Sequence, residues 1–389
     1  MGEQQIISKC IQKPVGCPVL KKFAKGKKSV LIVTDDNTRQ TPLKSILPSV
    51  IDELKKAGIE DSQIRILIAS GTHRPMTHKE IIDKFGKAVS SRFKIYNHNW
   101  NDKSMLAKID SAICRKKICV NRLAIKSDFI IGIGSIVPHA TTGFSGGGKI
   151  ILPGICGEET VEDMHWKALE FEMKDILGIY DNPMRRMVDS VAKKVGLKFI
   201  INIVMDSSNR LVDVFAGDPV KAHRKGIEVS KKVFGLSISR LADIVVADAK
   251  PMDIDLRQAI KAVAASDLVV KKGGVIVLKA RCPEGVSPQF PEFERYGFRD
   301  PEGLKRKVEE GKIKNKLMAY TLIAIGRILK HKAKVILVSK GISSESSQKL
   351  GFLLAGSLRA ALKKAKELTG KRARIIFLKR ACETLPLMN

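Results

Sequence analysis

Short apolar runs recur along the chain, each ending in polar or glycine-rich residues and followed by a segment with helical apolar spacing. In the first third, SVLIVTDD (29–36), QIRILIAS (63–70), FKIYNH (93–98) and DFIIGIGS (128–135) read as strands, and the stretch from Leu43 to Lys56 reads as a helix. A second series follows, with ADIVVADA (242–249), VIVLKARC (275–282), KVILVSK (334–340) and ARIIFLKR (373–380) alternating with helical stretches. This alternation predicts an α/β fold of two α/β domains with mainly parallel sheets and an active site in the cleft between them. The domains are placed at residues 1–236 and 237–389, with the boundary in the segment from Val233 to Arg240. At 389 residues the chain exceeds what one core usually organises, which favours two domains over one.

In open α/β sheets ligands bind where loops leave the carboxyl ends of strands. Here those ends carry chemistry: DDNTR follows the first strand, GTHRP the second, and a long glycine-rich loop the fourth.

Composition narrows the class. Hydrophobic residues at 44% and charged residues at 28% give an ordinary globular balance. No apolar run is long enough to span a bilayer and the polar start MGEQQIISKC does not resemble a signal peptide, so no membrane partner and a cytoplasmic location are expected. The seven cysteines (10, 17, 114, 119, 156, 282, 382) form no CxxC pair and are read as reduced and structural. A net charge of +30 raises nucleic acid as a partner. The basic residues, however, are scattered through helical segments such as Lys305 to Lys316 and Lys363 to Arg374, and aromatics for stacking make up only 5%. Solvated faces are the leading reading of the charge, steering of anions the second and nucleic acid the least favoured.

The most informative stretch is Pro138-His139-Ala140-Thr141-Thr142-Gly143-Phe144-Ser145-Gly146-Gly147-Gly148-Lys149, followed by LPG and then His165. Its glycines suggest backbone in close approach to a ligand. Gly143, Gly148 and Lys149 satisfy GxxxxGK, but Ile150 follows where a phosphate loop needs a hydroxyl, and no strand runs directly into Gly143. Lys149 is either a surface lysine beside a flexible loop or an amine desolvated enough to be nucleophilic, and its glycine and LPG neighbours favour the second. His73, His139 and His165 lie in loops that follow strands or on the next helix, and at least two of them are read as functional.

Together DDNTR (35–39), GTHRP (71–75), PHATTGFSGGGK with LPG (138–154), His165, NPMR (182–185) and RQAIK (257–261) resemble the nickel-pincer lactate racemase family, in the expected order over most of residues 30 to 285. The resemblance implies a racemase or epimerase acting at C2 of a small anionic 2-hydroxy acid. It implies a nickel-pincer nucleotide, a nicotinate-derived mononucleotide with sulfur-containing arms, joined covalently to Lys149, with His165 as the protein ligand to nickel. His73 and His139 would be the acid/base pair, and a hydride would pass from C2 to the cofactor and back to the opposite face. Asp36, Ser145, Gly146, Gly147 and Gly148 would contact the cofactor. Arg39, Arg74, Arg257, Gln258 and Lys261 would line the substrate. Cofactor-biosynthesis proteins would be partners, and a homodimer is left open.

Two positions depart from the family pattern. Arg257 stands where an aromatic is expected before the Gln, and Asn99 where an acid is expected after His98, a histidine read as structural. The alternatives kept beside the racemase are a zinc-dependent hydrolase or lyase, for which no HExxH or acidic ligand set is present, and a basic protein binding nucleic acid or another anionic partner.

Overall fold

The structure, a computed structural model, describes residues 2–110, 117–288 and 290–388; Cys114 lies outside them. The chain divides into two compact units. The first comprises Met1–Val137, Thr142–Met164 and Tyr180–Val233, and the second Pro138–Thr141, His165–Ile179 and Phe234–Asn389. Each is an α/β body with a mainly parallel sheet.

In the first unit β1 (Val30–Asp35), β2 (Ile64–Ala69), β3 (Lys94–Asn97), β4 (Phe129–Ser135), β5 (Leu197–Met205) and β6 (Leu211–Gly217) form one sheet in the order β6-β5-β4-β1-β2-β3. Only β6 runs antiparallel, against β5. Helix α1 (Leu43–Lys56) covers the sheet with Ile46, Leu47, Val50 and Leu54, and these join Ile32, Ile66, Ile131, Phe199 and Ile201 in a single core. The predicted helix limits agree with the observed ones, and the four predicted strands are present with ends within a residue. The strands β5, from the apolar run 197–205, and β6, from 211–217, complete the sheet beyond the four predicted ones.

The strand order reverses beside β1. The chain leaves β1 toward β2 and β3 on one side and returns to β4 on the other, a reversal at whose carboxyl edge open α/β sheets bind their ligands. The DDNTR loop, the GTHRP turn and the glycine-rich loop all start at that edge.

The second unit repeats the scheme. Strands β7 (Ala242–Asp248), β8 (Val270–Lys279), β9 (Ala333–Val338), β10 (Leu353–Leu354) and β11 (Ile375–Leu378) form a fully parallel sheet in the order β10-β9-β8-β7-β11. Ile244, Val246, Val275, Val277 and Ile336 pack on Ala361 and Ala365 of a covering helix. Here the order reverses at β7, and the segment leaving its carboxyl end carries RQAIK. Among the described residues no helix is long and apolar enough to cross a membrane.

Candidate functional site

At the end of β1 the chain places two acids in succession, and the fold treats them differently. Asp35 is buried, accepts a hydrogen bond from the Thr41 hydroxyl, and lies 3.4 Å from the ammonium of Lys84, which also donates to the Arg39 carbonyl at 2.7 Å. Burial pushes the Asp35 carboxyl up, with Lys84 and Thr41 pulling it back. Asp36 faces His73 instead. Its Oδ2 lies 2.7 Å from His73 Nδ1, and its Oδ1 accepts from the Thr38 backbone N–H at 3.0 Å and from the Thr38 hydroxyl. Burial alone would raise Asp36, but the hydrogen bond and charge of His73, with Thr38 and Arg39, outweigh it and hold the carboxyl below the usual range.

An ionised carboxylate only accepts, so the His73 nitrogen facing Asp36 must carry the proton. In the neutral ring the lone pair is then on Nε2. Arg39 sits at the same turn, its guanidinium donating to the Thr38 carbonyl at 3.1 Å. Arg74 is turned toward Glu80, bonded through both terminal nitrogens at 2.8 and 2.6 Å, and Glu80 in turn closes the capping box of helix α2 (His78–Phe85) with Thr77. Its fork therefore braces the GTHRP turn.

His98 is structural, as expected. It is buried, its Nε2 donates to the Cys156 carbonyl at 3.0 Å, and its Nδ1 accepts from the Asn121 amide at 3.1 Å. Burial lowers its pKa to about 4, so it stays neutral.

The glycine-rich loop is tied to the body of the unit by hydrogen bonds. Lys149 lies on a 3-10 turn, Gly147–Ile150, so no α-helix N-terminus follows the glycines as a phosphate loop would require. Ile150 packs against β4 where Gly132 leaves room: a Cβ there would fall 2.8 Å from Ile150 Cγ2. Beneath the loop, helix α3 (Pro183–Val195) begins with the NPMR motif. Asn182 caps it by accepting from Arg185 N–H at 2.8 Å, Pro183 takes the first turn, and Arg185 reaches back into the loop. The buried Arg185 guanidinium donates to the carbonyls of Phe144 and Gly146. From helix α4 (Lys221–Phe234), His223 Nε2 donates to the Ser145 carbonyl at 2.7 Å, and the Asn202 side chain of β5 accepts from Gly147 N–H at 2.8 Å.

The loop glycines therefore bring the backbone close to the protein's own side chains. Gly147 has φ +57°, and a Cβ there would lie 2.8 Å from the His223 ring. The Ser145 hydroxyl is engaged by the chain itself, accepting from Val137 N–H and donating to the Ser135 carbonyl.

In the second unit, His139 Nδ1 accepts from Thr141 N–H at 3.2 Å, so in its neutral form this ring carries its proton on Nε2, the reverse of His73. The Thr141 hydroxyl meets the Tyr320 hydroxyl at 3.1 Å, and the Tyr320 ring stands edge-on to His165 with centroids 5.1 Å apart. His165 lies on a helix, Glu158–Ala168, as the sequence predicts. Tyr320 thus gathers His139 and His165 to one place.

RQAIK leaves β7 through a short helix, Leu256–Ala259, capped by Asp255. Lys261 Nζ donates to Gln258 Oε1 at 2.5 Å. The Arg257 guanidinium is half-buried and lies 4.8 Å from the centroid of the Phe290 ring. Burial lowers its pKa and Asp255 pulls it back up.

Arg185, Asn202, His223, Lys84 and Tyr320 escaped the sequence reading as functional candidates. NPMR was recognisable, but its arginine had no stated partner. His223 lies in the first turn of its helix and matches none of the quoted motifs, and Tyr320 is hidden in the apolar run LMAYTLIAIG.

The Asp36–His73 pair makes a direct prediction. Because its folded pKa is depressed, Asp36 contributes stability that is present above the unfolded value of about 3.9 and is lost as pH falls through the folded one. The melting-temperature gap between the wild type and Asp36→Asn should therefore persist from neutral pH down to about 4 and close below it. Nitrogen NMR of His73 should show Nδ1–H in the wild type and a mixed tautomer in the variant; a gap that widens in acid would contradict the pairing.

Comparison with known proteins places this architecture. Residues 1–175 match the lactate racemase N-terminal domain and residues 238–382 the lactate racemase C-terminal domain. The lactate racemase of Thermoanaerobacterium thermosaccharolyticum is 31% identical over 381 residues, covering 96% of this chain and 88% of the relative; that of Lactiplantibacillus plantarum is 30% identical over 382 residues, covering 97% and 89%. The structure of the lactate racemase apoprotein from T. thermosaccharolyticum superposes with a TM-score of 0.91 at 30% identity, covering 100% of this chain and 93% of that one. With both domain types matched in order and relatives alike over nearly its whole length, the chain belongs to the lactate racemase family.

Proposed function

We propose that the protein inverts C2 of a small 2-hydroxy acid, with Lys149 as the covalent attachment point of a nickel-pincer nucleotide, His165 as the protein ligand to nickel, and His73 and His139 as the acid/base pair. The observation that carries this reading is the Asp36 carboxylate 2.7 Å from His73 Nδ1, which fixes the proton on that nitrogen and suits the ring to take a further proton at Nε2.

The residues suit such a group. Among the described residues no three His, Cys, Asp or Glu side chains gather as a metal-binding set, which fits a metal that takes most of its donors from an organic group and one from an imidazole. It gives the zinc hydrolase no ligand set among those residues. When bound, the group supplies the acceptor for the hydride that leaves C2 and returns to its other face.

The chain's own residues handle the proton and the carboxylate. His73, with Nδ1–H fixed on Asp36, presents Nε2 as a base for the substrate hydroxyl as C2 becomes a carbonyl carbon. His139 acts as the acid from its imidazolium form, giving its Nε2 proton to the opposite enantiomer's hydroxyl oxygen and leaving a neutral ring. One turnover leaves the two rings with their protonation exchanged, ready for the reverse reaction. Arg39, Gln258 and Lys261 hold the carboxylate, Gln258 fixing the ammonium of Lys261.

Arg257 refines the substrate. The phenyl face of Phe290 orients its guanidinium, which is not a freely solvated surface cation. A fixed cation beside Gln258 favours a substrate with a second anionic or hydroxylated end, such as malate, a longer hydroxy-diacid or a sugar acid, over lactate. A charge-assisted hydrogen bond of this kind is worth roughly 1.5 to 3 kcal/mol, on the order of tenfold to a hundredfold in discrimination.

Coexpression with the loading proteins tests the site. Lys149→Ala should abolish the covalent adduct in intact-mass spectra and all activity. His73→Ala and His139→Ala should each cut turnover by roughly a hundredfold or more with nickel retained, whereas His165→Ala should lose metal. An adduct on another lysine, or equal nickel loss in all three histidine variants, would overturn the assignments.

For the substrate, kcat/KM should favour malate over lactate in the wild type, and Arg257→Tyr should shift the ratio toward lactate by roughly tenfold or more. A wild type that prefers lactate, or an unchanged ratio, removes Arg257 as selector.

A further inference from the structure

The backbone from Phe144 to Gly148 is fixed by side chains arriving from three elements. Arg185 donates to the carbonyls of Phe144 and Gly146, and His223 donates to the Ser145 carbonyl between them. Asn202 accepts from Gly147 N–H and Asp189 from Gly148 N–H. Four successive peptide groups are thereby held from below. Just before them, Asn182 donates to the Thr142 carbonyl at 3.4 Å.

The clamp is also electrically self-contained. Arg185 and Asp189, one helical turn apart on α3 and both largely buried, form an ion pair at 3.4 Å. His223 is fully buried and, chiefly through desolvation and then through the Arg185 charge, held neutral. Its ring fills the space that any side chain at 147 would need. Buried ion pairs are weak sources of stability, and their best-attested use is to specify one arrangement among several. The arrangement specified here is the turn that carries Lys149, because Gly146 carbonyl, gripped by Arg185, also accepts from Lys149 N–H at 3.2 Å.

We infer that Arg185 and His223 are positioning residues for Lys149: they preset the glycine-rich loop so that the lysine amine is presented in one direction for covalent loading. This rests on the reading of Lys149 as the attachment point. Without the clamp the glycines, several of them at positive φ, would let the loop sample many conformations, and the amine would be more accessible to small reagents but seldom aimed at its cofactor.

The experiment uses the full-length chain in two states. Chain produced without the loading proteins is pulse-labelled with N-succinimidyl acetate, and acetylation at Lys149 is read by peptide mass spectrometry against all other lysines in the same digest. Chain coexpressed with the loading proteins is followed by intact mass for adduct accumulation. Arg185→Met and His223→Leu should each speed labelling of Lys149 at least about threefold relative to the other lysines, while slowing adduct accumulation about tenfold. Arg185→Lys and His223→Gln, which keep one donor each, should recover part of both. A general loss of stability would raise labelling at many lysines together, so the Lys149-specific change is the signature. Unaltered Lys149 labelling in Arg185→Met and His223→Leu would overturn the inference; should Arg185→Met fail to fold, His223→Leu and Arg185→Lys decide it by the same criterion. If the wild type carries its adduct on a different lysine, the attachment reading fails, yet the labelling contrast still reports whether the clamp sets the loop.

Discussion

Every strand of a parallel sheet must be re-entered from the same side, so all of its outgoing loops leave from one edge. In both units this constraint does most of the work of assembling chemistry. In the first, β1, β2 and β4 deliver DDNTR, GTHRP and the lysine loop to a shared edge, and the strand order reverses beside β1. In the second, the same reversal at β7 frees the segment that carries RQAIK. Residues far apart in the chain become neighbours because their strands are, and no long-range signal in the sequence is needed beyond the alternation of strand and helix.

That explains which parts were legible. The parallel strands are dense apolar runs with polar residues at their ends, so the segments that carry Asp36, Arg39 and His73 stand out by position, whereas Lys261 is reached only through the resemblance to the family. The supporting residues do not stand out. Arg185 and His223 sit on helices whose surface-type composition gives no hint that one face turns into a loop, and Tyr320 is indistinguishable from its apolar neighbours until Thr141 and His165 are placed around it. The glycines were read as backbone in close approach to a ligand, and the structure shows the same backbone packed closely on the protein's own side chains. The contact of Arg74 with Glu80 was equally out of reach, because Glu80 belongs to a capping box that only the three-dimensional turn reveals.

The two acids at the end of β1 show how one dipeptide can hold two protonation behaviours. Asp35 faces inward, where desolvation dominates, and Asp36 faces an imidazole and a turn of donors, so their affinities for protons are driven apart. Lys84 links the pair to the rest of the turn by touching both Asp35 and the Arg39 carbonyl. The orientation of His73 therefore depends on an acid whose charge persists well into the acidic range, while the neighbouring buried acid serves the architecture.

The seat of the Gly147–Ile150 turn is shared among residues 132, 147, 185, 189, 202 and 223, drawn from two strands, two helices and the loop itself. None can change size without displacing another: a side chain at 132 evicts Ile150, one at 147 evicts the imidazole, and a shorter residue at 185 strands two carbonyls and an aspartate. Viewed as an evolutionary object, this seat is a single unit of inheritance scattered over some ninety positions of sequence. Its members are expected to drift only in concert, leaving a trace of correlated substitution among distant columns where a motif search would see only a lysine and some glycines.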